Sequence, residues 1–376
     1  MSDDHLIQAG PMKWALDEPG VIPAWIAEMD FAVAPAISEV VKDYVASDVF
    51  GYPDIRLNPQ VIDAFVAFVD RRWGATIEPE RVMITGDVME GMRLVLSHIA
   101  PAGPVIVPTP VYPPFLVMTR DMGREVIEVQ MSDDTPNLDL AAIEAAAANG
   151  AQALLLCQPH NPLGRVWTRD ELTQIRDIAR AYGVHVISDE IHAPLVWPGV
   201  ELTSYASVTD ETDLATVLMS ATKSFNMPGL RCAQVVSSRA EDHETLSSLH
   251  PVLNHSMSTL GMRASIAAFT ESDEWLDAVR TRSAENHALI TALLADQLPE
   301  VSCLPAQATY LAWIDVSRVA TDDPMAGALA AGVRLDGQNY GAGTDGHLRV
   351  NLATSSDRVR EIVRRLSSAQ SGWRAS

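Results

Sequence analysis

The sequence of 376 residues predicts an α/β protein, with a large domain built on a mostly parallel β-sheet and a smaller α/β domain after it. Short apolar segments alternate with longer helical patterns through roughly residues 45–265, which is typical of a parallel sheet covered on both faces. Residues 273–298 then form one long amphipathic segment. With 47% hydrophobic and 20% charged residues, the chain can bury a large core.

Individual elements follow from local patterns. A strand that ends in a Gly-Asp turn leads into a helix, and the capping box of Thr168 and Glu171 begins another helix. The alanine-rich stretch at 141–148 has strong helix formers. The clearest segments are strands at 82–85, 153–157, 184–188, 310–316 and 347–352, and helices at 88–99, 273–298 and from Ser355.

Lysine is rare in this chain, which contains only Lys13, Lys42 and Lys223 among 27 basic residues. Arginine stays protonated, whereas a desolvated lysine amine can lose its proton and form a Schiff base with an aldehyde. Lys223 lies in the weakly charged segment Ala-Thr-Lys-Ser-Phe-Asn, where a surface lysine would be unusual. We therefore expect its amine to carry the chemistry.

The neighbours of Lys223 indicate a site for pyridoxal phosphate, which needs a lysine for its aldehyde, an acid for its ring nitrogen, and cations or helix amides for its phosphate. Asp189 follows the apolar run at 184–188 and so lies at the carboxyl end of a buried strand, where ligands bind in open α/β sheets. The helix at 88–99 offers its N-terminus to the phosphate, and Ser220 and Arg231 bracket Lys223.

Two further polar side chains suit the cofactor and an amino-acid substrate. Asn161 follows the strand at 153–157, where its amide could bond to the ring hydroxyl. Arg349 lies in the alternating segment at 347–352, and its guanidinium could take a substrate α-carboxylate through two parallel hydrogen bonds.

These features resemble the fold-type I pyridoxal-phosphate enzymes of the aminotransferase class I/II superfamily along nearly the whole chain. Four motifs are most similar to the MalY/PatB branch of cystathionine β-lyases, or carbon–sulfur lyases: residues 25–31 (WIAEMDF), 50–53 (FGYP), 109–112 (TPVY) and 188–192 (SDEIH). The resemblance implies a seven-stranded sheet in a cofactor domain at 45–265, a small domain at 266–376, and an N-terminal segment, 1–44, that packs with the small domain.

The resemblance also implies a role for each residue. Lys223, Asp189 and Tyr112 form the catalytic set, in which Lys223 holds the aldehyde, Asp189 pairs with the ring nitrogen and Tyr112 stacks on the ring. Asn161 binds the ring oxygen. The phosphate is held by Ser220, Arg231, the turn Gly86, Asp87 and Val88, and Tyr52 from the second subunit of a homodimer. Arg349, with Ala27 nearby, binds the substrate carboxylate.

The implied reaction is α,β-elimination from cystathionine or another S-substituted L-cysteine, which releases a thiol, pyruvate and ammonia. His192 stands where aminotransferases commonly have tyrosine, which favours the lyase branch, although a lone strand-end histidine is usually structural. Glu28 and Asp87 differ from the residues usual at these positions in the lyase branch. An aminotransferase shares the early steps of the reaction and stays open as the main alternative. A cofactor-binding regulator is the less supported alternative.

Other classes have little support. The sequence Asp-Glu-Ile-His at 189–192 matches a helicase box, but no phosphate-binding Gly-x4-Gly-Lys loop accompanies it, and a formal charge of −22 disfavours nucleic acid. Three scattered cysteines and unpaired histidines predict neither disulfides nor a metal site. With no apolar stretch long enough to span a bilayer and no apolar signal after the acidic start, we expect a cytoplasmic protein.

Overall fold

A computed structural model describes residues 1–131, 136–319 and 323–368. In chain order, its strands are β1 (Ile22–Pro23), β2 (Val82–Thr85), β3 (Val105–Thr109), β4 (Val126–Gln130), β5 (Ala153–Cys157), β6 (His185–Asp189), β7 (Ala215–Met219), β8 (Ala233–Ser237), β9 (Ser302–Cys303), β10 (Leu311–Asp315), β11 (Val333–Arg334) and β12 (His347–Asn351).

The helices alternate with these strands through the first two thirds of the chain. They are α1 (Asp3–Ala9), α2 (Met12–Ala15), α3 (Pro35–Ala46), α4 (Asn58–Trp73), α5 (Val88–His98), α6 (Pro114–Asp121), α7 (Leu140–Ala148), α8 (Arg169–Tyr182), α9 (Ala221–Ser224), α10 (Ala240–Ser247), α11 (Pro251–Asn254), α12 (Thr259–Glu271), α13 (Asp273–Gln297), α14 (Pro324–Ala330) and α15 (Ser356–Ser368).

Seven strands form the large sheet, in the order β2-β8-β7-β6-β5-β3-β4. The strands β7, β6, β5, β3 and β4 pair in parallel, whereas β8 is antiparallel to both of its neighbours, β2 and β7. Both faces of the sheet are buried. In β5, Leu154 and Leu156 belong to one core cluster and Leu155, which points to the opposite face, belongs to another. Such strands need apolar residues at every position, as the sequence has them.

The smaller sheet consists of β12, β10 and β9, which pair antiparallel. The helices α13 and α15 pack together beside it and bury a separate apolar cluster that includes Ile290, Val350 and Ile362. The two-stranded pair of β1 and β11 brings the start of the chain to this part of the molecule.

A buried cluster of charges also fastens the N-terminal segment. The ammonium of Lys13 lies 3.0 Å from Asp30, and Arg358 of α15 donates to the second oxygen of Asp30 at 2.8 Å. Trp14 donates to the same carboxylate. Burial alone would raise the pKa of Asp30, but these partners outweigh burial and lower it. By contrast, α3 packs against α12, which also packs against α4, and residues of these helices belong to the core beneath the large sheet.

The predicted fold class is confirmed, since the protein is an α/β fold with a mostly parallel sheet of seven strands. The predicted strand at 82–85 has the observed bounds, the long helix at 273–298 ends one residue earlier, and the capping box of Thr168 and Glu171 begins α8. The domain boundaries stay a prediction. Among the described residues, no helix combines the length and apolarity that a membrane span requires.

Candidate active site

The topology of the large sheet locates a crevice. After β3 the chain adds β4 on one side, and it then crosses to add β5, β6 and β7 on the other side. The connection after β3 therefore runs to one side of the sheet and the connection after β5 runs to the other. Ligands bind at the carboxyl ends of two neighbouring strands whose connections diverge in this way. Tyr112, Asn161 and Asp189 follow β3, β5 and β6 at these ends.

Lys223 lies on the short helix α9, directly after β7, and its amine donates to the carbonyl of Ala27 at 3.2 Å. The side chain is half-buried. Burial, helped by the charge of Arg349, lowers the pKa of Lys223 to about 8, against the opposing charges of Glu28 and Asp189. A substantial fraction of this amine is therefore neutral near physiological pH, as a nucleophile or base requires.

Asp189 is the last residue of β6 and is 4% exposed. Its Oδ1 accepts a hydrogen bond from the Ile191 N–H at 3.0 Å. Burial raises the pKa of Asp189 to about 7, and the Ile191 amide and the charge of Lys223 work in the opposite direction. A buried carboxylate with so little compensation is suited to a cationic partner, which a protonated ring nitrogen would supply.

Arg349 on β12 is 4% exposed and is held on several sides. It donates to the side-chain oxygen of Asn161 at 3.1 Å, to the carbonyl of Trp25 at 2.8 Å and to Asp336 at 3.0 Å. Its Nε is buried without a partner among the described residues. The structure thus brings Arg349 and Asn161 together, and Asn161 keeps its amide NH₂ for a ring oxygen because its carbonyl oxygen is taken by Arg349.

Tyr112 lies beside the same groups. Burial raises the pKa of its phenol, and the charges of Arg349, Asp189 and Asp87 also act on it. Arg349, Asp189 and Asp87 are the residues predicted to lie at the substrate carboxylate, the ring nitrogen and the phosphate, respectively. Tyr112 therefore lies close enough to all three residues to feel their charges, and its stacking on the ring stays a prediction.

The predicted phosphate end is formed by the N-terminus of α5 together with Ser220 and Arg231. The first N–H groups of α5 have no acceptor within the helix. Arg231 has a left-handed backbone with φ of 50° and pairs with Asp87 at 2.9 Å. The hydroxyl of Ser220 donates to the Cys232 carbonyl at 2.6 Å, so it must rotate to donate to a phosphate.

The remaining predicted residues differ in their surroundings. Gly86 and Val88 flank Asp87 at the start of α5, where both are buried. Ala27 is 7% exposed and presents its carbonyl to Lys223. Tyr52 is 98% exposed, and no hydrogen bond or ion pair among the described residues ties it to the site.

Sequence reasoning missed several residues that shape the site. Asp336 accepts from Arg349 and from the Tyr340 hydroxyl, which donates at 2.6 Å. Tyr340 is fully buried under the Arg349 guanidinium, 5.5 Å from its ring. The Tyr310 hydroxyl donates to the Ala27 carbonyl. A buried arginine requires a counter-charge, which is the signal that could have directed attention to the nearby acids.

Two histidines line the inner side of the site. His160 and His192 are 1% and 3% exposed, and both ring nitrogens of His160 lack a hydrogen-bond partner in the described part of the chain. Burial lowers the pKa of each to about 3. Both imidazoles are therefore neutral, which leaves the positive charge in the site to Lys223, Arg231 and Arg349.

The residues present fit the cofactor predicted from the sequence. Asp189 is a buried carboxylate that no cation of the described residues contacts, the Lys223 amine has a lowered pKa, and the amides at the start of α5 can donate to an anion. Arg349 adds a buried guanidinium with N–H groups left for a carboxylate. No group of three or more side chains able to hold a metal ion is found within the described ranges.

The fold and site together define the class of an enzyme that holds an aldehyde cofactor on a lysine and binds an amino acid beside it. The sequence model of the family described as aminotransferase class I and II matches residues 26–366, and the chain belongs to this family. The predicted family is thereby confirmed.

Similar proteins support a narrower relationship. The cystathionine beta-lyase of Corynebacterium glutamicum is 32% identical over 361 residues, which cover 95% of this chain and 96% of the relative. The cystathionine beta-lyase PatB of Bacillus subtilis (strain 168) is 30% identical over 362 residues, covering 93% and 92%. The crystal structure of cystalysin from Treponema denticola, which contains a pyridoxal 5'-phosphate cofactor, has a TM-score of 0.89 at 28% identity and covers 98% of this chain and 97% of that chain.

Proposed function

We propose that the protein is a pyridoxal-phosphate-dependent carbon–sulfur β-lyase, which acts on cystathionine or related S-substituted L-cysteines. The observation that carries the proposal is the placement of a partly neutral Lys223 between a buried acid, Asp189, and a carboxylate-binding arginine, Arg349. The similar cystathionine beta-lyases support the choice of a sulfur-containing substrate.

In the proposed mechanism, Arg349 binds the α-carboxylate and so fixes which bond of Cα faces Lys223. Bound pyridoxal phosphate supplies an electron-withdrawing ring that makes the Cα proton removable. The neutral Lys223 amine takes that proton. The electrons of the broken C–H bond form a Cα–Cβ double bond as the Cβ–S bond breaks, and the sulfur leaves as a thiolate. Addition of water to the released enamine then gives pyruvate and ammonia.

Asp189 has the task of keeping a positive charge on the ring nitrogen. Its carboxylate, whose pKa is raised to about 7 by burial, becomes a firm counter-ion when a protonated nitrogen lies next to it, because an adjacent cation favours the charged form. Asn161 links the two ends of the site, since it accepts from Arg349 and can donate to the ring oxygen. Substrate and cofactor orientation are therefore coupled through one side chain.

The proposal includes a homodimer in which Tyr52 reaches the phosphate of the neighbouring subunit. Tyr52 belongs to an exposed apolar patch, which we define as Val45, Val49, Phe50, Tyr52 and Ile55. Each of these side chains is more than half exposed, and contiguous apolar surface of this kind marks interaction sites. The three cysteines are free, which fits the reducing cytoplasm predicted from the sequence.

A complementation experiment tests the shared site. Tyr52→Ala and Lys223→Ala homodimers should both be impaired, and Lys223→Ala inactive. A hybrid dimer has one site that holds both substitutions and one site with neither, so mixing the variants should restore lyase activity per mixed dimer. If subunit exchange gives no gain in activity, Tyr52 does not act in the site of the neighbouring subunit.

The lyase itself is tested with the purified, cofactor-loaded protein and L-cystathionine, with no 2-oxo acid present. Release of thiol and pyruvate in equal amounts over many turnovers is the expected result, and Lys223→Ala should abolish it. If neither product forms, while addition of a 2-oxo acid starts amino-group transfer, the aminotransferase alternative replaces this proposal.

A further inference from the structure

The predicted phosphate end of the site contains a carboxylate of its own. Asp87 caps helix α5, and its Oδ1 accepts from the Glu90 N–H at 2.8 Å. Its Oδ2 lies 2.9 Å from Nη2 of Arg231. One aspartate thus occupies both the helix N-terminus and the guanidinium that a phosphate would use.

Glu90 adds a second carboxylate to the same turn. Its Oε2 accepts from the Gly86 N–H at 3.0 Å and from the Ser256 hydroxyl, and it lies 3.8 Å from Nη2 of Arg231. The turn is crowded, since a Cβ on Gly86 would lie 2.7 Å from this Oε2 and 3.0 Å from the Arg231 guanidinium. The acidic groups are therefore built into the turn and do not merely extend from it into solvent.

The charges at this end do not balance in favour of an anion. Two carboxylates face one guanidinium, and a bound phosphate would add further negative charge beside them. The N–H groups of Val88 and Met89 stay open to a phosphate because they begin α5 and have no intrahelical acceptor. Binding through these amides places the phosphate next to Asp87, which precedes them.

We propose that Asp87, assisted by Glu90, competes with the cofactor phosphate for Arg231 and thereby makes the cofactor exchangeable. This inference rests on the proposed function, since it takes this turn as the phosphate end of the site. Asp87 is a positioning residue for Arg231, and the energetic consequence is a weakened hold on the phosphate.

The expected size of the effect follows from Coulomb repulsion between charges a few ångströms apart, which in a partly solvated protein site corresponds to a factor of roughly 10–100 in an equilibrium constant. Asp87 and Arg231 are 39% and 49% exposed, so screening places the expectation near the lower end. We expect removal of the Asp87 charge to tighten cofactor binding about tenfold.

The experiment compares wild-type protein with Asp87→Asn after cofactor removal, by titration with pyridoxal 5'-phosphate and, separately, with pyridoxal. Asparagine still caps a helix, so the variant removes the charge and keeps the turn. Asp139→Asn is the matched control, because Asp139 caps α7 by the same contact, to the Ala142 N–H at 2.9 Å, away from the site. Glu90→Gln provides a second variant in case Asp87→Asn folds poorly.

Asp87→Asn should tighten binding of pyridoxal 5'-phosphate about tenfold and leave binding of pyridoxal unchanged, and Asp139→Asn should change neither. Glu90→Gln should act in the same direction as Asp87→Asn. Unchanged or weaker binding of pyridoxal 5'-phosphate overturns the inference, and so does equal tightening for both ligands, since pyridoxal has no phosphate. If wild-type protein binds the cofactor and turns over while Asp87→Asn has no effect, only this inference fails; if wild-type protein does not bind it covalently, the proposed function fails first.

Discussion

Arg349 offers the sharpest test of how the site binds its substrate. The guanidinium has five N–H groups, of which three are donated to Asn161, Trp25 and Asp336. One N–H on Nη1 and the N–H of the buried Nε are left for a ligand. We therefore replace Arg349 by glutamine, which removes the charge, and by lysine, which keeps the charge without the fork.

The size of the loss can be worked out from one of these free donors, because the N–H groups of Nη1 and Nε lie on opposite edges of the guanidinium and one carboxylate reaches one of them. A hydrogen bond to a charged group contributes about 1.5–3 kcal/mol to binding of the carboxylate. Removal should lower kcat/KM by a factor of roughly 10 to 10² in Arg349→Gln. Arg349→Lys should retain part of the Coulomb attraction and lose a smaller factor. Asp336 is 28% exposed, so water can replace its lost partner and the fold should persist.

Two matched substrates separate carboxylate binding from general damage. The assay follows thiol release from an S-substituted L-cysteine and from the corresponding S-substituted cysteamine, which lacks the carboxylate. Wild-type protein should prefer the amino acid by the same factor that Arg349→Gln loses, and the variant should treat the amine as wild-type protein does. An equal loss for both substrates, or a loss below about tenfold for the amino acid, would refute the assigned role of Arg349.

Three further predictions concern the catalytic pair and the core. Because burial places the pKa of Lys223 near 8, its neutral fraction rises about tenfold between pH 7 and 9 and then levels off. The rate of covalent capture of pyridoxal phosphate should follow the same profile. A lysine of ordinary pKa would give about a hundredfold rise with no plateau, and that profile would contradict the lowered pKa. Asp189→Asn should lower kcat/KM for thiol release by a factor of roughly 10² to 5 × 10³, since it breaks a buried charge pair worth about 3–5 kcal/mol. Unchanged turnover would exclude Asp189 as the partner of the ring nitrogen. Leu155→Ala should lower the free energy of unfolding, measured by urea titration, by about 2–5 kcal/mol. The control Leu329→Ala, at a side chain that is 39% exposed, should lower it by about 0.5 kcal/mol or less. Similar values for the two variants would contradict the buried position of Leu155.

Much of the fold could be predicted because local patterns decide it. A strand buried on both faces must be apolar at every position, so the run Ala153–Cys157 was identifiable without any partner strand. The capping box of Thr168 and Glu171 marked the start of α8 by chemistry that is complete within four residues. The antiparallel placement of β8 has no such local sign, because strand order depends on how distant segments pack.

The residues of the site likewise divide into those that local patterns predict and those that only the fold brings together. Lys223 and Asp189 could be predicted because each combines a chemically specific side chain with a position at the end of an apolar segment. Asp336 could not, since it lies in a segment without periodicity and meets Arg349 through an isolated antiparallel bridge and a side-chain ion pair that only the fold brings about. Asp87 differs from the residue usual in the lyase branch, but only the fold brings its carboxylate to Arg231.

The position of Lys223 relative to Arg349 depends on backbone groups that no sequence pattern reveals. Lys223 lies on α9 after the large sheet and Arg349 lies on β12 of the small sheet, yet both donate to carbonyls of one N-terminal segment, Lys223 to Ala27 and Arg349 to Trp25. Asp30, a few residues further along that segment, is fixed by buried ion pairs to both the start and the end of the chain. Since a carbonyl can be supplied by any residue, the side chains at 25 and 27 are free to shape the pocket while the backbone sets the distance between base and carboxylate site. The precision of the chemistry therefore rests on how this segment is anchored.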